Sequence, residues 1–194
     1  MAIAIEETFE IHAPIETVWQ FLLDPQRVVV CMPGAELEEV VGDGTFLGNI
    51  RIKVGPITSA YKGRVQFTEV DEAGHMMKMV AEGRESSGGI AKGAMSSRLR
   101  ALPDGGTEVV AESSVEITGR IMQFGRGMIE DVSHQLFQQF VACVKERLEA
   151  GEGATVAADA AVESEPISVL PLALQAMGRG IVRSLRRLLR RPAA

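Results

Sequence analysis

The residues best equipped for chemistry in this chain are three histidines, two cysteines and one adjacent pair of acids, and their spacing assembles none of them into a reactive centre. His12, His75 and His134 lie far apart and fit no metal-ligand spacing. Each reads as an isolated surface or buried histidine. Cys31 and Cys143 stand 112 positions apart, make neither a metal-spaced pair nor a disulfide framework, and read as small buried hydrophobes. Glu130 and Asp131 are consecutive, and consecutive helix positions point to different sides, so both read as solvated. The glycine-rich stretches "GDGTFLG" and "GRGMIE" do not sit between a hydrophobic strand and a helix in a repeating β-α-β pattern, which a phosphate loop requires. No G-x-S-x-G occurs. The sequence thus makes no positive case for a catalytic residue, a metal ligand or an enzyme.

What remains is apolar surface with a few hydroxyls, and binding is the chemistry it supports. Turn signals ("GDG", "VGP", "DEAG", "SSGG", "PDGG") divide the middle of the chain into six strands, at 36–41, 46–54, 61–70, 76–84, 90–102 and 107–118. Period-two alternation puts Phe46, Ile50, Tyr61, Val65, Phe67, Met77, Met79, Met95 and Val115 on one face, with lysines, arginines and glutamates on the other. The apolar face also holds small residues, among them Gly63, Ala81, Gly83, Ala91, Gly93, Ser97, Ala111 and Ser113. Small side chains under a covering helix have two readings. Either the helix sits close to the sheet, or a void is left for a ligand, since protein interiors are otherwise close-packed. Methionines on that face suit a variable apolar guest. Alternation supplies hydroxyls there, from Tyr61, Ser97 and Ser113, but no acid or base.

The elements that position this face are readable on either side. "IAIEETFEI" alternates as a strand, with Ile3, Ile5, Phe9 and Ile11 inward and Glu6 and Glu10 opposite. "APIETVWQFLLDP" reads as a helix opened by Pro14 and stopped by Asp24-Pro25, and a short helix from Gln26 to Cys31 follows. From Ile121 the period changes. Phe124, Met128, Val132, Leu136, Phe140, Val144 and Leu148 recur at three- and four-residue steps, which predicts one long amphipathic helix across the sheet.

Charge separates the domain from its tail. The net charge is −6, yet all 26 acids precede Pro166, while six of the 20 basic residues fall from Arg179 onward. An acidic body argues against nucleic acid as partner. Residues 1–150 read as one α+β domain, and residues 151–169, small and acidic, as a flexible linker reaching about 25 Å. Residues 170–194 read as a basic amphipathic helix. On a helical wheel Leu174, Met177, Ile181, Leu185 and Leu188 fall on one side, and Arg179, Arg183, Arg186, Arg187, Arg190 and Arg191 on the other. An anionic membrane surface supplies both an apolar layer and negative charge, each arginine near it contributing about 1 kcal/mol. The N-terminus has no basic region or long apolar run of the secretory kind. The expectation is a cytoplasmic protein held peripherally on the inner face of the cytoplasmic membrane.

One strand, a helix at "VWQFLLDP", then "CMPGAELEEV", a meander and "ITGRIMQFGRGMIEDVSHQLFQQF" together resemble the CoxG family of carbon monoxide dehydrogenase proteins, within the START-like (SRPBCC) superfamily. The resemblance runs over roughly residues 2 to 149. "MPGAE" and "GRIMQFG" carry it most specifically, with Met122 where the family pattern G-x-x-A-Q-F-G has a small residue. It implies a helix-grip fold, a curved antiparallel sheet around a long C-terminal helix, with an apolar cavity between them. It further implies an accessory protein of a molybdenum-containing carbon monoxide dehydrogenase or related hydroxylase, binding a respiratory quinone (menaquinone or ubiquinone) and recruiting the enzyme to the membrane for electron transfer. On that footing the candidate ligand-binding set is Trp19, Phe46, Ile50, Tyr61, Phe67, Met77, Met79, Met95, Phe124 and Met128, with Gln123, Gly125 and Gly127 at a mobile entrance. Two other readings stay open: a recruitment adaptor with a solid core, and a START-like lipid or polyketide binder or cyclase, which needs a buried acid or base in the cavity.

Overall fold

Strict alternation in AIAIEETFEI makes β1, Ala2–Ile11, a strand with Ile3 and Ile11 buried on one side. The computed structural model describes residues 2–150, so the linker and the basic tail, with every membrane-binding residue assigned to it, lie outside the described residues. After β1, Pro14 caps α1, Ile15–Leu23, its carbonyl accepting from the Thr17 and Val18 amides. Asp24 then caps α2, Pro25–Cys31, its Oδ1 accepting from the amides of Gln26 (2.9 Å) and Arg27 (3.3 Å). A proline at the first helical position completes the start of this seven-residue helix.

Six further strands follow: β2 Ala35–Gly42, β3 Thr45–Val54, β4 Ile57–Asp71, β5 Met76–Glu85, β6 Ile90–Ala101 and β7 Thr107–Ile117. They join β1 in one antiparallel sheet of order β1-β7-β6-β5-β4-β3-β2. The strand boundaries lie within a few residues of those expected from the turn signals. β2 ends the sheet; it carries Glu36, Glu38 and Glu39, and Val40 and Val41 are exposed on it.

The glycine of "MPGAE" has a clear physical duty. Gly34 adopts φ +76°, and a Cβ there would stand 2.3 Å from the Arg51 carbonyl oxygen. The Arg51 amide donates to the Gly34 carbonyl at 2.8 Å. Only glycine lets the chain leave α2 and press onto β3 in this way.

The C-terminal segment departs from one unbroken helix. Arg120–Phe124 forms a 3-10 turn, and α3 runs from Gly125 to Glu149. Gly119 (φ 98°) and Gly125 (φ 78°) bracket the turn in the left-handed region. An apolar period of three and four residues continues through such a break, so periodicity alone does not reveal it.

α3 is fastened near both ends. Toward its start Ile129 is buried, and toward its end Val144 and Leu148 join a core of Ile11, Val18, Trp19, Phe21, Met77, Leu99 and Val109. Thr107 is buried in this region, and its hydroxyl donates to the Ala13 carbonyl at 2.7 Å. The His12 amide donates to Glu149 at 3.0 Å. The cysteines correct the sequence reading. Cys31 and Cys143 form a disulfide that ties α2 to α3, with S–S 2.05 Å and Cα–Cα 5.4 Å. Both residues do pack in or against the core, but as a bonded pair rather than two separate hydrophobes.

Candidate functional site

Strand register sorts the concave face, the side covered by α3, into rows running across the sheet. Leu99 and Val109 lie in one row, and Met77 and Ser97 in the next, all buried in or beside the core. The following row is Phe67, Met79, Met95, Ser113 and Ile5. Beyond it lie Phe46, Val65, Ala81, Gly93 and Val115. The members of these last two rows are only half-buried. The residues of α3 between its fastened ends, Val132, Leu136, Phe137, Phe140 and Val141, are half-buried as well. The two half-buried surfaces lie on the same side of the sheet, where α3 meets β1 through Phe137 against Phe9 and His134 against Glu7.

Next comes a row with almost no side chains: Gly48, Gly63, Gly83 and Ala91, on four neighbouring strands. A Cβ at Gly63 would stand 2.0 Å from the Glu82 carbonyl oxygen, so the backbone itself forms the floor here. One row further is Ile50, Tyr61 and Glu85. Tyr61 is 3% exposed, Glu85 6%, and Ser59, two positions before Tyr61 on the same face, 0%. The Tyr61 hydroxyl, the Ser59 Oγ and the Glu85 Oε2 are all buried, and Ser59 lies beside both of the others. The other carboxylate oxygen of Glu85 accepts from Arg120 of the 3-10 turn at 3.2 Å. The nearby Ser87 hydroxyl, helped by Ser59 and Arg120 and opposed by burial, holds the Glu85 carboxyl below the usual range. Burial first, and then the Glu85 charge, push the Tyr61 hydroxyl above its ordinary value.

Glu85 corrects the expectation that no acid faces inward. It continues the alternation Met77, Met79, Ala81, Gly83 by one more residue, past the strand end placed at Arg84. Glu7 is a second inward acid, on β1 between Ile5 and Phe9. It pairs with Nδ1 of His134 on α3, and Nε2 of His134 meets Gln138 at 2.7 Å. That set satisfies itself: a carboxylate accepts from one ring nitrogen, and an amide donates to the other. Of the other histidines, His75 packs edge-on against Trp19 and reaches Glu16 at 3.0 Å. Among the described residues, no group of three or more His, Cys, Asp or Glu side chains converges to hold a metal.

The structure distributes the sequence-assigned ligand residues as follows. Phe46, Phe67, Met79 and Met95 line the half-buried rows, with the Phe46 and Phe67 rings 5.5 Å apart. Ile50 and Tyr61 stand at the polar end. Trp19 and Met77 are sealed in the core, Met77 in the concave row next to that of Phe67 and Met79. Phe124 caps Gly55 of the β3–β4 turn, its ring 3.6 Å from where a Cβ would be. Met128 and Gln123 are exposed near the start of α3, beside Gly125 and Gly127. An open depression of about 720 Å³ is lined by residues of β1, β4, β5, β6 and β7, among them Ala4, Ile5, Lys78, Met79, Met95 and Ser113, and by none of α3. No helix among the described residues is long and apolar enough to cross a membrane.

Comparison with known proteins places this arrangement. A conserved protein from Geobacillus kaustophilus superposes with a TM-score of 0.70 at 19% identity, over 76% of this chain and 96% of its own. The Zhui aromatase/cyclase from Streptomyces sp. R1128 superposes at 0.58 and 18% identity, over 77% and 94%. A START superfamily protein from Mycobacterium smegmatis does so at 0.51 and 12%, over 76% and 97%. At these identities the likeness is one of fold: a START-like sheet gripping a C-terminal helix. No curated protein sequence matches the chain. The family model for CoxG, a carbon monoxide dehydrogenase subunit, matches residues 8–149, most of the chain, so the protein belongs to the CoxG family.

Proposed function

We propose that this chain carries a respiratory quinone, menaquinone or ubiquinone, in the cleft between α3 and the sheet, and recruits a molybdenum-containing carbon monoxide dehydrogenase to the cytoplasmic membrane. The observation that carries the reading is the pair of half-buried rows from Phe67 to Ser113 and from Phe46 to Val115, facing an equally half-buried stretch of α3. An isoprenoid-tailed ring needs a long apolar trough with a few polar groups at one end. Met79, Met95, Phe46 and Phe67 offer the apolar walls, and Tyr61, Ser59 and Glu85 the polar end. Family membership supports the accessory role. The segregated arginines of residues 170–194 support attachment to anionic lipid.

The test is native mass spectrometry and lipid extraction of the full-length protein purified from its own host membranes. A quinone at near one per chain is expected. An empty domain that still sediments with anionic liposomes, and loses this on removal of residues 167–194, would leave a ligand-free tether instead.

A further inference from the structure

We propose that the end of the domain where the β3–β4 and β5–β6 turns meet the start of α3 lies against an anionic lipid surface. The proposal rests on the tail attachment set out above and adds which way the tethered domain faces.

Adjacent strands run in opposite directions, so the connections of the meander fall alternately at two ends of the sheet. At one end lie the β2–β3, β4–β5 and β6–β7 turns, and each carries acid: Asp43, Asp71 with Glu72, and Asp104. Asp71 and Asp104 accept from the Gly74 and Gly106 amides, both at 3.0 Å, which holds their charge in those turns. Glu149, at the C-terminal end of α3, reaches the same end through the His12 amide. At the other end the β3–β4 turn, Gly55-Pro56, and the β5–β6 turn, residues 86–89, carry no charged side chain. Cations stand around them instead: Arg51 and Lys53 on β3, Arg84 on β5, Arg120 of the 3-10 turn and Arg126 on α3. Glu82, Glu85 and Glu130 pair with the last three. Arg51 and Lys53 make no salt bridge among the described residues.

Anionic lipid is met best by cations and apolar groups presented together. Among these cations Met128 is 43% exposed, Pro56 is exposed, and Phe124 is half-buried against Gly55. A Cβ at Gly125 or Gly127 would meet nothing within 4 Å, so no other part of the described domain covers this stretch. The positive end of the α3 dipole points the same way. Arginine and lysine stems lie along apolar surface while their charged heads reach lipid phosphates. An acidic protein would match the cations as well. The apolar residues among them, and a basic amphipathic tail on the same chain, favour lipid. In this orientation the acidic turns face away from the bilayer, where like charge would repel them.

The experiment is hydrogen–deuterium exchange of the full chain, alone and with phosphatidylcholine vesicles made with or without phosphatidylglycerol. With phosphatidylglycerol, residues 53–57, 86–89 and 119–128 should gain protection, and residues 42–45, 72–75 and 103–106 should not. Sedimentation with the same vesicles gives the energetic side. Replacing Arg51 and Lys53 together by glutamine should weaken binding by about fivefold for each charge removed. Arg147→Gln, which removes an exposed cation near the C-terminal end of α3, should leave binding within about twofold. Protection of the acidic turns, or of neither end while the chain is bound, would overturn the orientation and leave the tail attachment intact. Unchanged sedimentation of the Arg51→Gln, Lys53→Gln variant would assign those cations to an acidic protein instead and overturn the lipid contact. A wild-type chain that does not sediment with anionic vesicles would overturn both this contact and the tail attachment. The exchange reading needs no variant, so it decides even where a substitution fails to fold.

Discussion

Replacing Cys143 by serine should lower the melting temperature of the oxidised protein by roughly 10–20 °C. The Cys31–Cys143 bond closes a loop of 112 residues. The chain-entropy account gives about 5 kcal/mol for a loop of this length, through restriction of the unfolded chain. The folded side offers little to replace it. α2 is only seven residues long, and Cys31 is its one fully buried residue, so α2 rests on α3 largely through this bond. At about 2–4 °C per kcal/mol for a domain of some 150 residues, the loss converts to the stated shift. Thermal unfolding of wild type and Cys143→Ser would be followed by circular dichroism, each with and without reductant. Reductant should bring the wild type down to the variant and leave the variant unmoved. A variant melting within about 3 °C of oxidised wild type, or an equal response of both to reductant, would refute the reasoning.

Glu85 should give the domain a specific acid sensitivity. Its carboxyl is held below the ordinary range, so its contribution is present above the usual carboxylate pKa and is lost as pH falls through the folded value. Melting temperatures of wild type and Glu85→Gln should therefore converge toward acid pH, and parallel curves would contradict this. Gly34→Ala should destabilise by about 2 kcal/mol or more, because the residue is left-handed and its Cβ would meet the Arg51 carbonyl; urea unfolding measures it. Thr107→Val keeps the shape but strips the buried donor from the Ala13 carbonyl, and should cost about 1–3 kcal/mol in the same assay. Trp19→Ala, at 1% exposure in the core, should cost about 3–5 kcal/mol.

The sheet was readable because alternation and turn residues are local signals. "GDG", "VGP" and "PDGG" mark turns between strands that pair with their sequence neighbours. What escaped depends on distant partners. Ending β5 at Arg84, in front of "SSGG", hid Glu85 by one residue. Glu7 sits in a strand with acids on both faces, and the histidine that justifies its inward position lies 127 positions away. A disulfide across 112 positions leaves no local trace. The proposed cleft depends on which rows stay half-buried, and that emerges only when strand register lines up Gly48, Gly63, Gly83 and Ala91.

The outermost strand has a consequence for self-association. Among the described residues β2 ends the sheet, and an unpaired strand edge is a template for a second copy of itself. Here that edge carries Glu36, Glu38 and Glu39 within four residues, beside the exposed valines 40 and 41. Two such edges brought together would set acids near acids, though Glu38 is paired with Lys62 at 2.9 Å and Glu36 and Glu38 both accept from Asn49. Salt weakens that opposition, since at about 1 M the range of an exposed charge shrinks to roughly 3 Å. The strand that closes the grip on one side thus also carries acids that weigh against edge-to-edge pairing, most strongly in dilute buffer.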